Sequence, residues 1–234
     1  MVREIFSTIT GRYDFLNRLL SLRRDVAWRR FTGRKMTFFK TGRLLDVATG
    51  TADLAIEAAL LNPEARVVGL DFVPGMMALG KRKIAGKGLS GRVGLVEGDA
   101  LSLPFGENSY DTVSMAFGIR NIPDRMRALK EMKRVAVPGG QVMILEMTTP
   151  RGPLFRRLFT LYLNRILPRI SGLFTSNQEA YQYLADSIMN FPSPAEFARL
   201  MREAGLEKVT AHPLTMGITY LHVGQKPLPG QDEN

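Results

Sequence analysis

Hydrophobic and polar positions change period twice along the chain. Up to about residue 40, apolar residues recur at helical spacing: Ile5, Phe6, Ile9 and Tyr13, then Leu16, Leu19 and Leu20, with breaks at Gly11 and near Ser21. Trp28, Phe31, Phe38 and Phe39 follow among many arginines. From residue 43, short apolar runs alternate with amphipathic stretches. The runs at 43–48, 66–70, 93–96, 111–117 and 141–146 predict strands, and 52–61, 74–85 and 123–136 predict helices. Strands alternating with helices imply a parallel sheet with right-handed crossovers. After residue 150 the alternation stops. Helices are predicted over 153–166, 176–190 and 193–204, the last opened by Ser193-Pro194-Ala195-Glu196 and closed by Gly205. Strands over 207–214 and 218–225 then pair antiparallel at one edge of the sheet. The expectation is one α/β domain over 1–226, with an N-terminal helical lid (1–40), a helical cap (153–204) and a disordered tail (227–234).

The alternating region opens on Leu44-Leu45-Asp46-Val47-Ala48-Thr49-Gly50-Thr51-Ala52-Asp53-Leu54-Ala55, a buried strand, a small-residue turn and a helix start. An acidic residue, Asp71, ends the next strand. This unit makes a nucleotide site at the carboxyl ends of strands. A dinucleotide turn needs three glycines for backbone approach to a pyrophosphate, but here those positions are Gly50, Ala52 and Ala55. No Lys-Ser or Lys-Thr follows, so the turn is not an ATP phosphate loop. Asp46, Asp53, Asp71 and Asp99 create a field hostile to a pyrophosphate and suited to a ligand carrying a sulfonium and an ammonium. S-adenosylmethionine is such a ligand. Asp71 would accept its ribose hydroxyls, Phe72 and Met76 would pack on adenine, Asp99 would accept from the adenine amine, and Asp46 and Asp53 would lie near the ammonium.

Charge and composition narrow the partners. With 32 Lys and Arg against 22 Asp and Glu, the net charge of +10 favours an anionic partner, including acidic lipid headgroups. Cysteine is absent, which rules out disulfides, thiolate metal sites and cysteine nucleophiles. No apolar run approaches a membrane span, and Met1-Val2-Arg3-Glu4 lacks a signal-peptide core, so the expected location is cytoplasmic, with contact at the inner face of the cell membrane left open. Phe155 and Phe159 beside Arg156, Arg157 and Arg165 fit a basic amphipathic helix that either rests on anionic lipid or covers the domain.

The element order, Leu103-Pro104-Phe105-Gly106-Glu107-Asn108-Ser109-Tyr110-Asp111 and Val135-Ala136-Val137-Pro138-Gly139-Gly140 resemble the class I methyltransferases, which implies a Rossmann-like three-layer sandwich around a seven-stranded, mostly parallel sheet. Further stretches are more specific: Arg12-Tyr13-Asp14-Phe15-Leu16-Asn17, Trp28-Arg29-Arg30, Phe117-Gly118-Ile119-Arg120-Asn121, Leu145-Glu146, Pro168-Arg169-Ile170 and Tyr181-Gln182-Tyr183-Leu184-Ala185-Asp186-Ser187-Ile188. These resemble the ubiquinone/menaquinone biosynthesis C-methyltransferase family over about residues 3–226. The resemblance implies methylation of a ring carbon of a polyprenyl hydroquinone, such as demethylmenaquinol or the ubiquinone-pathway benzoquinol. It implies cofactor contacts at Thr51, Asp71, Asp99 and Ala100, with Ala116, beside Phe117, at a position that is commonly Ser. Ala52 replaces the usual second glycine of the turn and adds a methyl where backbone and ligand approach.

Transfer from a sulfonium needs no metal, because the leaving thioether is neutral. It needs in-line positioning and help with the ring protons. Arg120 would stabilise a phenolate or orient a water, Asn121 would bond the ring oxygen, and Glu146 would accept a proton. Tyr13, Tyr181, Tyr183 and Asp186 would line the ring pocket. His212 and His222 fall in the late edge strands and read as structural. Nucleic acid is not expected as a partner: carbon-5 pyrimidine methylation needs a cysteine, and no Asn/Asp-Pro-Pro-aromatic stretch follows the fourth strand. A homodimer is left open. The alternatives are a methyltransferase for another phenolic or natural-product small molecule, and a non-catalytic nucleotide-binding or peripheral membrane protein.

Overall fold

A computed structural model of the chain describes residues 18, 21–150, 152–162, 165 and 178–230. In chain order the described elements are α1 (Arg24–Lys35), β1 (Arg43–Val47), α2 (Asp53–Leu61), β2 (Arg66–Asp71), α3 (Pro74–Gly86), β3 (Val93–Glu97), β4 (Tyr110–Ala116), α4 (Arg125–Val135) and β5 (Ala136–Met147). Then come α5 (Pro153–Leu161), α6 (Gln178–Met189), α7 (Pro194–Glu203), β6 (Glu207–Leu214) and β7 (Thr219–Gln225). The seven strands form one sheet in the order β3-β2-β1-β4-β5-β7-β6. Pairing is parallel from β3 through β5, and β7 runs antiparallel to both β5 and β6. This is the Rossmann-like α/β sheet that the sequence leads one to expect. The chain works outward from β1 to β2 and β3, then returns to lay β4 on the other side of β1. The strand order reverses there, so a crevice opens at the carboxyl ends of β1 and β4.

Alternating residues feed two cores because the strands are covered on both faces. On β1 and β5, Leu45, Val142 and Ile144 join Leu129, Met132, Phe197 and Met201 of α4 and α7. Leu44, Met143 and Leu145 join Trp28, Leu54, Ala55 and Ile84 of α1, α2 and α3 on the opposite face. The helix termini follow local rules. Asp124 caps α4 by accepting from the Arg127 N–H at 2.9 Å, and Ser193 with Glu196 forms a reciprocal capping box on α7. Among the described residues no helix is long and apolar enough to cross a membrane.

β5 departs from its expected range. It begins at Ala136 rather than near residue 141, directly after α4. Pro138-Gly139-Gly140 is accommodated inside the strand by a register shift opposite Tyr110 and Thr112. Gly139 takes φ +75°, and a Cβ at Gly140 would meet the carbonyl oxygens of Val137 and Asp111 at 2.7 and 2.8 Å. The pattern that usually stops an element here builds a bulge. Both histidines lie on the closing hairpin as expected. His222 is buried and its Nε2 contacts the Pro194 carbonyl at 3.0 Å, while burial pushes its pKa down to about 4. Of the expected tail, Leu228 lies against Gly139, and residues 231–234 are outside the described residues.

The loop that delivers the chain into β1 hangs on one side chain. The fully buried Asp111 carboxylate on β4 accepts from the N–H groups of Lys40, Thr41 and Gly42 at 3.0, 2.9 and 2.7 Å, and from the Thr41 hydroxyl at 3.0 Å. Asp111→Ala leaves those buried donors unsatisfied and is expected to cost about 3 kcal/mol or more. Denaturant unfolding followed by circular dichroism measures this; a loss under about 1 kcal/mol would contradict the assignment.

Candidate active site

The crevice at the strand ends is a cavity of about 380 Å³. Gly50, Asp71, Phe72, Met76, Asp99, Ala100, Ala116, Phe117 and Asn121 all contribute to its wall. Residues not anticipated from sequence complete it, including Ala48, Gly98, Leu101 and Ile122. They are small or apolar residues flanking the anticipated ones, with no chemical signature of their own. No Lys or Arg is among the described lining, so a phosphate would find no cationic partner there. Asp71 and Asp99 supply carboxylates instead. The residues present fit a phosphate-free, cationic nucleoside ligand such as S-adenosylmethionine.

The turn after β1 is built to hold this wall. Thr49 N–H bonds the Leu70 carbonyl at 2.9 Å, and Gly50 N–H bonds Asp71 Oδ2 at 2.7 Å. Asp71 Oδ1 accepts from Val73 N–H at 2.9 Å, fixing the carboxylate at the end of β2. Burial pushes the Asp71 carboxyl above its ordinary range, against the opposing effect of the Val73, Gly50 and Phe72 N–H groups. Asp99 is exposed and forms a local turn by accepting from Leu101 N–H at 2.9 Å.

Asp46, Thr51 and Asp53 lie outside the described lining of the cavity. Asp46 is 1% exposed and faces inward, where it accepts from the hydroxyls of Thr49 at 2.7 Å and Ser114 at 2.9 Å. Asp53 starts α2 and pairs with Lys83, whose ammonium also reaches Thr51 Oγ1 at 3.0 Å. Burial alone would raise the Asp53 pKa, but Arg29 and Lys83 outweigh it and hold the carboxyl below its ordinary value. Ala52 is likewise fully buried and has φ +64°. Its methyl points to α3, where a Cβ at Gly80 would lie 3.3 Å from it. The expectation that this methyl crowds the ligand is therefore corrected: it fills the space that Gly80 leaves.

Ile119–Asn121 forms a short 3₁₀ turn after β4. The Arg120 guanidinium pairs with Glu146, and Glu146 also accepts from Arg120 N–H at 3.3 Å and Met147 N–H at 2.8 Å. The Glu146 side chain is 0% exposed, so it acts on Arg120 rather than on a ligand in the cavity. Asn121 Oδ1 accepts from the Tyr183 hydroxyl at 3.1 Å, which joins α6 to this turn. Asp186 is exposed on α6. Tyr13 and the Tyr181 side chain lie outside the described residues.

Phe117 has φ +57° and is shared between the main cavity and a smaller one lined by α1, α5 and α6. Trp28 lies 6.1 Å from the Phe117 ring, and the Arg29 guanidinium stacks on it at 5.3 Å. Trp28 Nε1–H donates to Thr215 Oγ1 at 2.8 Å, anchoring α1 to the turn between β6 and β7. Among the described residues no cluster of three or more His, Asp and Glu side chains is arranged to hold a metal.

Residues 1–226 match the model of the ubiE/COQ5 methyltransferase family. The chain is 45% identical over 226 residues to a ubiquinone/menaquinone biosynthesis C-methyltransferase UbiE of Geotalea daltonii, covering 96% of each. It is 44% identical to a demethylmenaquinone methyltransferase of Deinococcus radiodurans, covering 96% of this chain and 92% of that one. Among solved structures it resembles a putative S-adenosyl-L-methionine-dependent methyltransferase of Methanococcus maripaludis, with a TM-score of 0.65 at 16% identity, covering 93% of this chain and 92% of that one. A SAM-dependent methyltransferase of Aquifex aeolicus gives a TM-score of 0.63 at 18% identity, over 91% and 97% of the two chains.

Asp46 gives this region a pH signature. Burial raises its pKa to about 6 from an ordinary 3.8, partly opposed by the Thr49 and Ser114 hydrogen bonds. The folded carboxyl is thus easier to protonate than the unfolded one, and its ionisation costs about 3 kcal/mol at neutral pH. Stability from this residue rises as pH falls from about 6 to about 4. Unfolding free energies of wild type and Asp46→Asn, compared at pH 7 and pH 4, are expected to show the wild type gaining about 2 kcal/mol on the variant. A difference that does not change with pH would refute the assignment.

Proposed function

Because the chain belongs to the ubiE/COQ5 methyltransferase family, we propose that it transfers the methyl group of S-adenosylmethionine to a ring carbon of a polyprenyl hydroquinone in quinone biosynthesis. The observation that carries this reading is the meeting, at Phe117, of a carboxylate-lined crevice without cationic lining and a smaller aromatic-walled cavity. The relatives named for demethylmenaquinone and for ubiquinone/menaquinone C-methylation support the acceptor class. Bound S-adenosylmethionine supplies an electrophilic methyl on a leaving group that departs neutral.

The chain's residues do the rest. Asp71 accepts the ribose hydroxyls, and its two backbone N–H bonds orient it for that. Asp99 faces the adenine end, and Phe72 and Met76 pack on the base. Glu146 holds Arg120 at the strand end, where the positive charge stabilises negative charge growing on a ring oxygen. Asn121, held by Tyr183, offers its amide to the same ring. Water exclusion falls to the lid and cap helices, which cover the smaller cavity.

The greasy tail of such a substrate suits a lipid surface. Leu158 and Leu161 of α5 are about half exposed, and Arg156, Arg157 and Arg165 are exposed beside them. This basic, apolar face rests on anionic bilayer at the inner surface of the cell membrane in our reading.

Three measurements test the proposal. Methyl transfer to demethylnaphthoquinol and to the matching benzoquinol, under reducing conditions, is expected for at least one. Titration calorimetry is expected to show S-adenosylhomocysteine binding that Asp71→Asn weakens about tenfold to a hundredfold. Failure with every reduced quinol defeats the acceptor assignment, and undiminished binding by the variant defeats the role of Asp71. For the membrane, the chain is expected to float with anionic vesicles at low salt and to be released by added salt; absence from the floated fraction would rule the surface out.

A further inference from the structure

The smaller cavity holds a carboxylate that the preceding account leaves unused. Its described lining includes Ser21, Asp25, Trp28 and Arg29 on one side, Phe117 and Arg120 on another, and Phe159 and Tyr162 from the α5 region. Asp25 is the carboxylate among them. It is 3% exposed, with Ser21 Oγ donating to Oδ1 at 2.7 Å and Arg29 donating to Oδ2. A carboxylate has about four lone-pair positions, so each oxygen can accept once more. Its competitor Glu146 is enclosed, with both oxygens engaged by Arg120 and Met147, and it does not line either cavity. Arg120 lines the smaller cavity, its side chain is 6% exposed, and its buried Nε–H has no hydrogen-bond partner. An aromatic-walled space thus holds one acceptor with spare capacity and one unsatisfied donor. A phenolic ring offers the matching pair, a proton to give and an oxygen that becomes negative.

Resting on the quinol reading above, we propose that Asp25 is the general base of the reaction, taking the hydroxyl proton of the acceptor ring while Arg120 donates to the oxygen left behind. As that proton moves to Asp25, the ring carbon forms a bond to the methyl group and the carbon–sulfur pair leaves on sulfur. The new sp³ ring carbon then loses its hydrogen to water, the ring oxygen recovers the proton from Asp25, and aromaticity returns. One proton is released overall and no oxidant is consumed. Arg29 holds the Asp25 carboxylate in place. It also reaches Asp53 at 3.8 Å and lies on Phe117, so the base is registered to the turn that holds the cofactor crevice. At about 30 Å³ the cavity is smaller than a ring, so the proposed role requires it to widen when the acceptor binds.

The charged and titratable groups lining the cavity with Asp25 are Arg29 on its own helix, Arg120 after β4 and Tyr162 after α5. Burial raises the Tyr162 pKa above its ordinary value, so it stays neutral near pH 7. Trp28, the single tryptophan of the chain, lines the same cavity and reports occupancy through fluorescence quenching by a naphthoquinone. Asp25→Asn is expected to lower kcat at least about a hundredfold. S-adenosylhomocysteine affinity and Trp28 quenching should stay within about threefold of wild type, scales well below that loss. Asp25→Glu, which keeps the carboxylate but moves it by one methylene, is expected to lose about tenfold, and it decides the matter if the Asn variant does not fold. Turnover by either variant within about threefold of wild type overturns the role of Asp25, as does a loss of S-adenosylhomocysteine affinity or of Trp28 quenching as large as the loss of kcat. If the wild type methylates no reduced quinol, the acceptor reading itself falls and this role falls with it.

Discussion

A buried negative charge at the point where the strand order reverses is the constraint that the site depends on. Asp46 sits at the end of β1 with its carboxylate shut away from water, bonded forward to Thr49 and sideways to Ser114 on β4. One side chain therefore joins the first strand, the turn that follows it and the neighbouring strand across the crevice. The turn is tied on its other side to Leu70 and Asp71 at the end of β2. Three strand ends are held in register by hydrogen bonds to side chains as well as by the ladder. Two hydroxyl donors do not compensate for the lost hydration of a carboxylate, which is why its pKa stands well above the ordinary range. The extensive cores on both faces of the sheet supply the stability against which this local cost is set.

Phe117 is the second fixed point. A non-glycine residue at φ +57° is strained, and it is kept there by its N–H bond to the Leu145 carbonyl at 2.8 Å and by Trp28 and Arg29 on its ring. The residue lines both cavities, one carrying the Asp71 and Asp99 carboxylates and the other Asp25 and Arg120. Methyl transfer requires two ligands to meet at one atom in line. A rigid wall shared by both compartments is a direct way to set that alignment.

Much of this architecture was legible in the sequence because the responsible forces are periodic. Burial on both faces makes continuous apolar strands, and turn chemistry marks their ends, so the alternation from β1 to β4 and the closing hairpin could be read within a residue or two. β5 was harder, because Pro138-Gly139-Gly140 carries the same signal whether it terminates a strand or bulges within one. In the site, Asp71 and Asp99 were legible as residues at strand ends, where side chains meet the crevice, while Ala116 and Phe117 came with the family resemblance. Asp46 and Asp53 were legible as acidic residues near the turn but not in their direction. Facing a ligand or facing Thr49, Ser114 or Lys83 depends on contacts many residues away. Asp25 and Arg29 were hidden for a related reason. An Asp and an Arg four apart on a helix form an ordinary surface pair, and only the packing of Phe117, Arg120 and α5 around them makes an interior cavity of that face.

The contact between Ala52 and Gly80 bears on how such turns diversify. The space between the turn and α3 accommodates one methyl group, and here it is carried by the turn while the helix goes without. Moving that methyl from one partner to the other would conserve volume, whereas adding a second would force two backbones apart. In this chain the turn carries the methyl, and the helix residue that faces it, 28 positions downstream, is a glycine. A nucleotide-binding fingerprint of this kind is better conceived as a fixed volume shared between segments than as a string of letters. Chains can drift through compensated exchanges that erase the string while leaving the ligand's side of the turn untouched.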